Sequence, residues 1–422
     1  MKKYLFCILV VFSLFNCRTN ENKEDCAKQS TQIIIGHIDS IYSNILGETR
    51  KIWIHVPESF NRDNKDKKYP VLYLLDGSSN FYSVTGIIKK LGSDNFNTPL
   101  PEMIVVAIPN TNRIRDLVPS HTDINLSADD ILYFEPGEGD KFLDFIEKEL
   151  IPYIDKNYPT VPIRTYVGHS LGGLSVINAL ISKPHLFNNY ISIDPSTYWY
   201  DYGFTNYADS ILNTNTFEGK ALFMALANNM GERMEISDIQ KDTTVKTAEF
   251  RSALEFVQSL ENNTTNDLDF KWKYYIDENH GSVPLIAIYD GLHFLFHWYN
   301  FEGLQKIYFS APEMTTEELL SLLKAYFKEV SNQFGYEILP PEKLINSIGI
   351  ALGHLPEKAF IFFDLNVMNY PNSPNVYNSR GDYYLALKDT VKALEDFKKA
   401  LENDKKDFYK EKIEKLEQSI KN

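Results

Sequence analysis

The chain contains 422 residues, which is more than one compact core usually holds, since domains typically run about 100–200 residues. Hydrophobic residues at 43% and charged residues at 24% are near globular averages, and they exclude a largely disordered or collagen-like chain. The net charge of −14 argues against a nucleic-acid-binding protein, which needs a basic face. Composition therefore predicts an acidic chain of two or three structural units.

The first segment of the chain has the pattern of an export signal. Residues 1–17 read MKKYLFCILVVFSLFNC, two lysines and then an apolar stretch that is too short to span a membrane. This segment resembles a bacterial lipoprotein signal, and the resemblance implies that Cys17 is lipidated. Residues 18–31 are polar and predict a tether. We expect an exported protein with a lipid anchor in the cell envelope, in the periplasm or at the outer membrane; ordinary secretion is the alternative.

Residues 32–305 alternate strand and helix patterns. The segments QIIIGHIDSIYSNIL and TRKIWIHVP, joined by Gly47 and Glu48, predict an antiparallel hairpin. Continuous apolar runs such as YPVLYLLDG and EMIVVAIPN are typical of strands buried on both faces of a sheet, and the apolar spacing over 139–157 predicts an amphipathic helix. The order of these elements predicts an α/β fold whose sheet is mostly parallel, with antiparallel strands at its N-terminal edge.

The segment RTYVGHSLGGLSVINAL holds the most specific catalytic motif. Gly168, Ser170 and Gly172 form the G-x-S-x-G pattern of a nucleophile elbow, between a predicted strand and a predicted helix. The small residues let neighbouring segments approach a serine in strained backbone angles, and the N-terminus of the helix favours negative charge there. The pattern predicts that Ser170 is a nucleophile; a tight turn with a helix-capping serine is the alternative.

A serine nucleophile needs a general base, which follows it along the chain in this kind of fold. His280 comes after the last predicted strand, in the loop DENHGSVP, whose flexible residues can present a side chain. His293 and His297 lie within an apolar segment and are more typical of core or wall residues. We therefore expect His280 to be the base.

The carboxylate that orients the base is harder to assign from the sequence. The loop after the predicted strand KALFMALANN offers four candidates, which are Glu232, Glu235, Asp238 and Asp242. We prefer Glu232, because it lies closest to the end of that strand. Asp194, which follows the preceding strand, is a further candidate, and a dyad without an acid stays open.

The oxyanion of the reaction needs two preorganised backbone amides. The first is expected from Leu171, the residue after the nucleophile. The second is expected from the loop after the strand that ends at Leu75, which holds Gly77 and Ser78. This arrangement is the usual one at a nucleophile elbow.

Three further residues are candidates for contact with the substrate. Arg113 and Arg115 follow a strand's C-terminal end, where sheets of this kind bind their ligands. The alternative for these two residues is an Arg–Asp pair, with Asp116, that braces the loop. Trp199 belongs to the aromatic segment STYWYDYGF, which we expect to form a wall of the cleft.

Four of these segments together resemble one known family. YPVLYLLDG, IVVAIPNTNRIRDLVPS, VGHSLGGL and HGSVPLIAIYDGLHFLF are similar to the putative esterase family of α/β-hydrolases, which includes enterochelin, feruloyl and acetyl-xylan esterases, S-formylglutathione hydrolases and mycolyltransferases. The resemblance implies an α/β-hydrolase fold and a Ser-His-acid hydrolase of carboxylic esters that needs no cofactor and no metal. Small-molecule, carbohydrate or siderophore esters are the implied substrates. The family motifs map onto Ser170, His280 and the loop of Gly77 and Ser78.

Residues 306–422 predict an α-helical region. A linker helix, TTEELLSLLKAYFKEVSNQFG, precedes two segments, 338–371 and 372–405, that resemble tetratricopeptide repeats. Ala359 and Phe363, for example, each recur 34 residues later, which is the period of that repeat. Because so few repeats rarely stand alone, we expect them to pack against the hydrolase or against a second copy of the chain. A groove that binds a protein partner is the alternative.

The sequence thus predicts an exported serine esterase that forms an acyl-enzyme on Ser170. Two other functions stay open. An acyltransferase of the same fold would share the acyl-enzyme, and a non-catalytic protein could keep the hydrolase fold as a binding module and act through its repeats.

Overall fold

The computed structural model of the chain describes residues 33–61, 67–92, 98–120, 137–199, 203–230 and 232–421. The predicted signal peptide, its Cys17 and the tether lie outside the described residues. From Ile35 onward the chain forms one compact unit. Among the described helices, none has the length and apolar character that a bilayer-spanning segment requires.

Eight strands form one sheet. They are β1 His37–Ser43, β2 Glu48–His55, β3 Tyr69–Leu74, β4 Ile104–Ala107, β5 Thr160–His169, β6 Asn189–Ile193, β7 Ala221–Ala227 and β8 Asp269–Tyr275. Their order in the sheet is β1-β2-β4-β3-β5-β6-β7-β8. The pairs β1–β2 and β2–β4 are antiparallel, and all later pairs are parallel. The predicted mostly parallel sheet with antiparallel N-terminal strands is confirmed.

The central strands are buried on both faces, as their continuous apolar runs predict. Every residue of β3, β4 and β6 is buried. The edge strand β8 instead alternates exposed and partly buried residues, because one of its sides has no neighbouring strand and one face meets solvent. The burial pattern therefore separates the interior of the sheet from its edge.

Helices cover both faces of the sheet. In chain order they are α1 Gly77–Leu91, α2 Arg113–Leu117, α3 Gly139–Phe145, α4 Ile151–Asn157, α5 Leu171–Ser182, α6 Gly203–Leu212, α7 Ile236–Ile239, α8 Ala248–Asn262, α9 Val283–Leu295 and α10 Gly303–Phe309. A π-helical turn, Ile146–Leu150, joins α3 and α4, and 3₁₀ turns lie at Val245–Thr247, His297–Tyr299 and Ala311–Glu313. Helices α3 to α6 and α8 pack on one face, and α1 and α9 pack on the other.

The C-terminal region consists of a long helix, two helix pairs and a final helix. These elements are α11 Thr316–Phe334, α12 Glu342–Ala351, α13 Pro356–Asn369, α14 Pro374–Ala386, α15 Thr390–Asn403 and α16 Asp407–Lys421. A Cβ atom at Gly349 would lie 2.9 Å from the Phe363 ring, and one at Gly381 would lie 2.7 Å from the Phe397 ring. Both helix pairs therefore approach through the same glycine–phenylalanine contact. Their identity as tetratricopeptide repeats stays a prediction.

The linker helix α11 packs against the part of the same chain that contains the sheet. Val330 and Phe334 belong to the same hydrophobic cluster as Val161 and Ile163 of β5. The phenol oxygen of Tyr336, just after α11, accepts a hydrogen bond of 3.2 Å from the backbone N–H of Lys68. The linker helix thus joins the helical region to the sheet within one chain, whereas the expected packing of the repeats themselves stays a prediction.

We predict that Phe334→Ala lowers the free energy of unfolding by about 3 kcal/mol, because it leaves a cavity where α11 meets the sheet. Phe309→Ala is the matched control, since that side chain is 79% exposed, and it should change stability by less than about 0.5 kcal/mol. Urea unfolding followed by circular dichroism measures both values. Equal losses in the two variants would show that the contact of α11 does not stabilise the fold.

Candidate active site

Ser170 lies in a sharp turn between β5 and α5. Its backbone angles, φ 60° and ψ −120°, are strained for any residue other than glycine. The N–H of Ser170 donates to the carbonyl of Ile193, at the end of the neighbouring strand β6, over 2.9 Å. A Cβ atom at Gly168 would overlap the carbonyl of Gly172, so the turn can close only with glycine there. Ser170 therefore has the conformation that a nucleophile elbow requires.

The Ser170 side chain opens into a cavity of about 520 Å³ at the carboxyl edge of the parallel strands. The cavity is lined by Ser170, Ser196, Tyr198, Asn228, Asn229, Glu249, Asn279 and His280. It brings together the predicted nucleophile and the predicted base. Among the hydrogen bonds of the described residues, however, the partner of Ser170 Oγ is Ser196 Oγ, at 3.4 Å, and not His280. Catalytic hydrogen bonds often tighten only when a substrate is bound.

The histidine of the cavity is held by a buried carboxylate, which is Asp194. His280 Nδ1 lies 2.5 Å from Asp194 Oδ2. The carboxylate also accepts hydrogen bonds from the backbone N–H of Ala227, over 3.0 Å, and from the Asn229 amide, over 2.7 Å. The hydrogen bond with Asp194 raises the pKa of His280 above its ordinary value of 6.5. Since Nδ1 is engaged, Nε2 is the ring nitrogen left to exchange a proton with a substrate or with Ser170.

The preference for Glu232 as the acid is wrong. The Glu232 side chain is 65% exposed, and its carboxylate pairs with Lys246 over 2.6 Å. Of the carboxylates in the described part of the chain, Asp194 is the one bonded to His280. Asp194 directly follows β6, which lies between β5 and β7 in the sheet, and its backbone is in the left-handed region at φ 40°. The order of the strands, which the sequence does not reveal, decides between the two residues.

A second histidine, His169, lies next to the candidate base His280 and was not predicted. Its ring centroid lies 4.3 Å from that of His280. Burial, and then the neighbouring His280, lower the pKa of His169 to about 4, so its ring is neutral near pH 7. His169, Asp194 and His280 offer atoms within 4.8 Å of one another that could hold a metal ion.

The loop after β3 lies beside the N-terminus of α5, as an oxyanion hole requires. A Cβ atom at Gly172 would lie 3.3 Å from Asp76 Oδ2. The N–H of Gly77, however, donates to the carbonyl of Ile108 over 3.0 Å, so its assignment to the oxyanion hole is wrong. Ser78 and Leu171 lie in the first turns of α1 and α5, where backbone N–H groups have no acceptor within the helix. These two residues are the candidate donors.

Arg113 braces the loops around the nucleophile. Its Nε and one Nη donate to the two carboxylate oxygens of Asp76 over 2.7 and 3.0 Å. The same Nη also donates to the backbone carbonyl of His169 over 3.0 Å. The bracing pair that was the alternative to a substrate contact is therefore present twice, as Arg113 with Asp76 and as Arg115 with Asp116.

Arg115 is likewise committed to carboxylates, and the structure does not support its prediction as a substrate contact. It donates to both oxygens of Glu48, over 3.2 and 2.7 Å, and to Asp116. Asp116 also accepts from the buried Arg50 over 2.5 Å. The hydrogen bond from Arg115 is the first cause that lowers the pKa of Glu48 to about 2. This network ties the loop after β4 to the antiparallel hairpin.

The aromatic segment after β6 contributes to the cavity through a different residue from the one predicted. Tyr198 lines the cavity, whereas Trp199 is partly buried and packs against the main hydrophobic core. Trp199 is therefore not among the described residues that line the cavity. Residues 200–202 of the same segment lie outside the described residues.

Comparisons with known proteins show which family this chain is similar to. Residues 43–246 match the family model described as putative esterase. Ferri-bacillibactin esterase BesA of Bacillus subtilis is 34% identical over 141 residues, which cover 31% of this chain and 49% of that protein. The siderophore enterobactin esterase of Emericella nidulans is 26% identical over 260 residues, covering 55% of this chain and 84% of that protein.

A solved structure is similar to a larger share of this chain than these two relatives are. An IroE-like serine hydrolase from Shewanella oneidensis is 28% identical and has a TM-score of 0.62, covering 78% of this chain and 98% of its own. Since this chain matches only 49% of BesA, the alignment with that relative is partial. Together the matches support the predicted resemblance to the putative esterase family and the α/β-hydrolase fold, and they support the predicted hydrolysis of carboxylic esters.

We predict that Asp194→Asn lowers kcat for p-nitrophenyl acetate about 10³–10⁴-fold, because the amide no longer orients His280 or stabilises its protonated form. Only neutral His280 can act as a base, and its pKa is raised by Asp194. The acidic limb of kcat/KM should therefore lie above pH 6.5 in the wild type and move to lower pH in the variant.

The matched control for this experiment is Glu232→Gln, which changes the carboxylate that the sequence favoured. Its side chain is exposed and pairs with Lys246, so both kcat and the pH profile should stay as in the wild type. A large loss in Glu232→Gln together with a small one in Asp194→Asn would overturn the assignment.

Proposed function

We propose that this chain, whose residues 43–246 match the putative esterase family model, is a serine esterase that cleaves carboxylic esters through an acyl-enzyme on Ser170. One observation carries the proposal. His280, which is bonded to Asp194, lines the same cavity as Ser170, which sits in a strained turn at the start of α5. A nucleophile and a base in one open cavity, with an orienting acid bonded to the base, are the parts that such a reaction needs.

The proposed reaction begins with attack of Ser170 Oγ on the ester carbonyl carbon, while His280 Nε2 takes the hydroxyl proton. The oxyanion accepts hydrogen bonds from the backbone N–H groups of Leu171 and Ser78. The negative carboxylate of Asp194 keeps Nδ1–H in place and stabilises the imidazolium as it forms. When the intermediate collapses, the bond to the alkoxide breaks, and the alcohol leaves with the proton from Nε2.

Water completes the cycle in the proposed mechanism. His280 Nε2 takes a proton from a water molecule, whose oxygen attacks the acyl carbon. Collapse of this second tetrahedral intermediate releases the carboxylic acid and returns the proton to Ser170 Oγ. The cycle needs no other reactant, and it uses the same pair of amides twice.

A siderophore ester is the substrate class that we propose. The names of two relatives, ferri-bacillibactin esterase and siderophore enterobactin esterase, support it. The cavity supports it as well, because its described lining around Ser170 is largely polar, as the contact surface of a polar ester would require.

We predict that a fluorophosphonate probe labels the wild-type chain and that Ser170→Ala abolishes both the labelling and the hydrolysis of esters. The probe reacts with an activated serine hydroxyl, so its adduct reports the nucleophile directly. Ser196→Ala is the matched control, since this neighbouring serine also lines the cavity, and it should still be labelled. Equal labelling of wild type and Ser170→Ala would contradict the proposal.

A panel of esters then identifies the substrate class. It should compare trilactone siderophores with p-nitrophenyl acyl esters, feruloyl esters and acetylated xylan, with Ser170→Ala as the blank. Hydrolysis that depends on Ser170 and has its highest kcat/KM on the trilactone would support a siderophore substrate. A higher value on feruloyl or xylan esters would reject it.

We also propose export with a lipid on Cys17, from the signal-like residues 1–17. Metabolic labelling with an alkyne fatty acid should mark the wild-type protein in a bacterial host and should not mark Cys17→Ser. The mutant protein should also leave the membrane fraction. Labelling that persists in Cys17→Ser would contradict the proposal.

A further inference from the structure

The cavity wall carries a carboxylate that the proposed reaction does not use. Glu249 is the second residue of α8, is partly buried and lines the same cavity as Ser170 and His280. Burial, and then the charge of Asp194, raise the pKa of Glu249 above 4.5. Glu249 also contributes to the raised pKa of His280, after the larger effect of Asp194. The carboxylate is therefore within electrostatic reach of the catalytic histidine.

The charges around the cavity are dominated by acids. Of the eight described lining residues, six are uncharged and none is a lysine or an arginine. No lysine or arginine of the described part of the chain forms a salt bridge with Glu249. Behind the wall, Asp194 adds a second negative charge, which is balanced only when His280 is protonated. A substrate group in this cavity thus meets a negative wall.

The arginines near the site do not offset the negative charge of the cavity wall. Arg113, which acts on the pKa of His280, is bound through two hydrogen bonds to the carboxylate of Asp76. Arg115 is bound to Glu48 and Asp116. The positive charges that could attract an acidic substrate are therefore already neutralised by acids of the protein.

We infer that Glu249 makes this cavity select esters by charge, favouring a cationic or hydrogen-bond-donating group beside the scissile bond and disfavouring an anionic one. The inference rests on the proposed function and specifies its substrate class. An anion next to Glu249 would be repelled in a partly desolvated site, whereas an ammonium, N–H or O–H group would find an acceptor. Among siderophore esters, iron-free ligands with protonated phenols fit this cavity better than ferric tris-catecholates, which are strongly anionic.

A purely structural role for Glu249 makes a different prediction. A carboxylate in the first turn of a helix stabilises that helix through its dipole. Its removal would then lower the stability of the fold and leave the choice among substrates unchanged. Charge selectivity is the property that separates the two roles.

The experiment compares Glu249→Gln with the wild type on pairs of esters that share shape and differ in charge. One pair is the p-nitrophenyl ester of γ-butyrobetaine and its isostere with carbon in place of nitrogen. A second is mono-p-nitrophenyl glutarate and its methyl ester. A third pair, acetylcholine and its uncharged carbon isostere, varies the alcohol and is followed by pH-stat titration. All assays are run at pH 8, because burial raises the pKa of Glu249 and the test requires its ionised carboxylate.

The expected ratios apply to the acyl or the alcohol part of the ester, whichever lies beside Glu249. In the wild type, kcat/KM should be about tenfold higher for a cation in that part than for its uncharged isostere. It should be about tenfold lower for an anion in that part than for its methyl ester. Glu249→Gln should bring these ratios close to one. Glu255→Gln removes the same charge from an exposed position of the same helix and should leave the ratios as in the wild type.

The outcomes separate the inference from the proposed function. If hydrolysis depends on Ser170 but the charge ratios are near one on both sides of the ester, the inference fails and the esterase stands. If Glu249→Gln changes only the thermal unfolding temperature, the structural role is correct and the inference fails. If Ser170→Ala hydrolyses every ester as well as the wild type does, the proposed function fails and the inference falls with it.

Discussion

The turn at Ser170 is the constraint on which the rest of the site depends. A serine holds φ 60° there because Gly168 lets β5 approach the start of α5 without a side chain between them, and because the Ser170 N–H bonds to the end of β6. The turn points the hydroxyl away from the sheet, at the edge where the parallel strands end. His280 and Asp194 reach the same edge because they follow β8 and β6.

Acidic groups set the electrostatics of this edge. Each arginine near the nucleophile is held by carboxylates, Arg113 by Asp76 and Arg115 by Glu48 and Asp116. The Arg113–Asp76 pair holds the loop before Ser78, a candidate oxyanion donor, and the Arg115 pairs tie the loop after β4 to the antiparallel hairpin, so the arginines act on the architecture of the site. The overall charge of −14 thus has a local counterpart in a cavity whose described wall bears no lysine or arginine.

The errors of the sequence analysis have a common physical origin. Glu232 was preferred because it follows the end of β7 closely, but a carboxylate is placed by the order of strands in the sheet and by the hydrogen bonds that hold it. Gly77 has the expected position along the chain, yet its N–H already bonds to Ile108. In both cases the contact that decides the assignment, between Asp194 and His280 or between Gly77 and Ile108, joins residues far apart along the chain. Local sequence patterns carry no information about such contacts.

Local patterns were sufficient for features that depend on short-range chemistry. The glycine-flanked Ser170, the buried apolar strands and the helix pairs of the C-terminal region all follow from residues close together in the chain, as does the placement of His280 after the last strand. Tertiary structure alone decided that Asp194 is the partner of His280, that Arg113 braces Asp76, and that Glu249 stands on the cavity wall. These contacts join residues from different strands, helices and loops, and only the packing of the whole sheet brings them within a few ångströms.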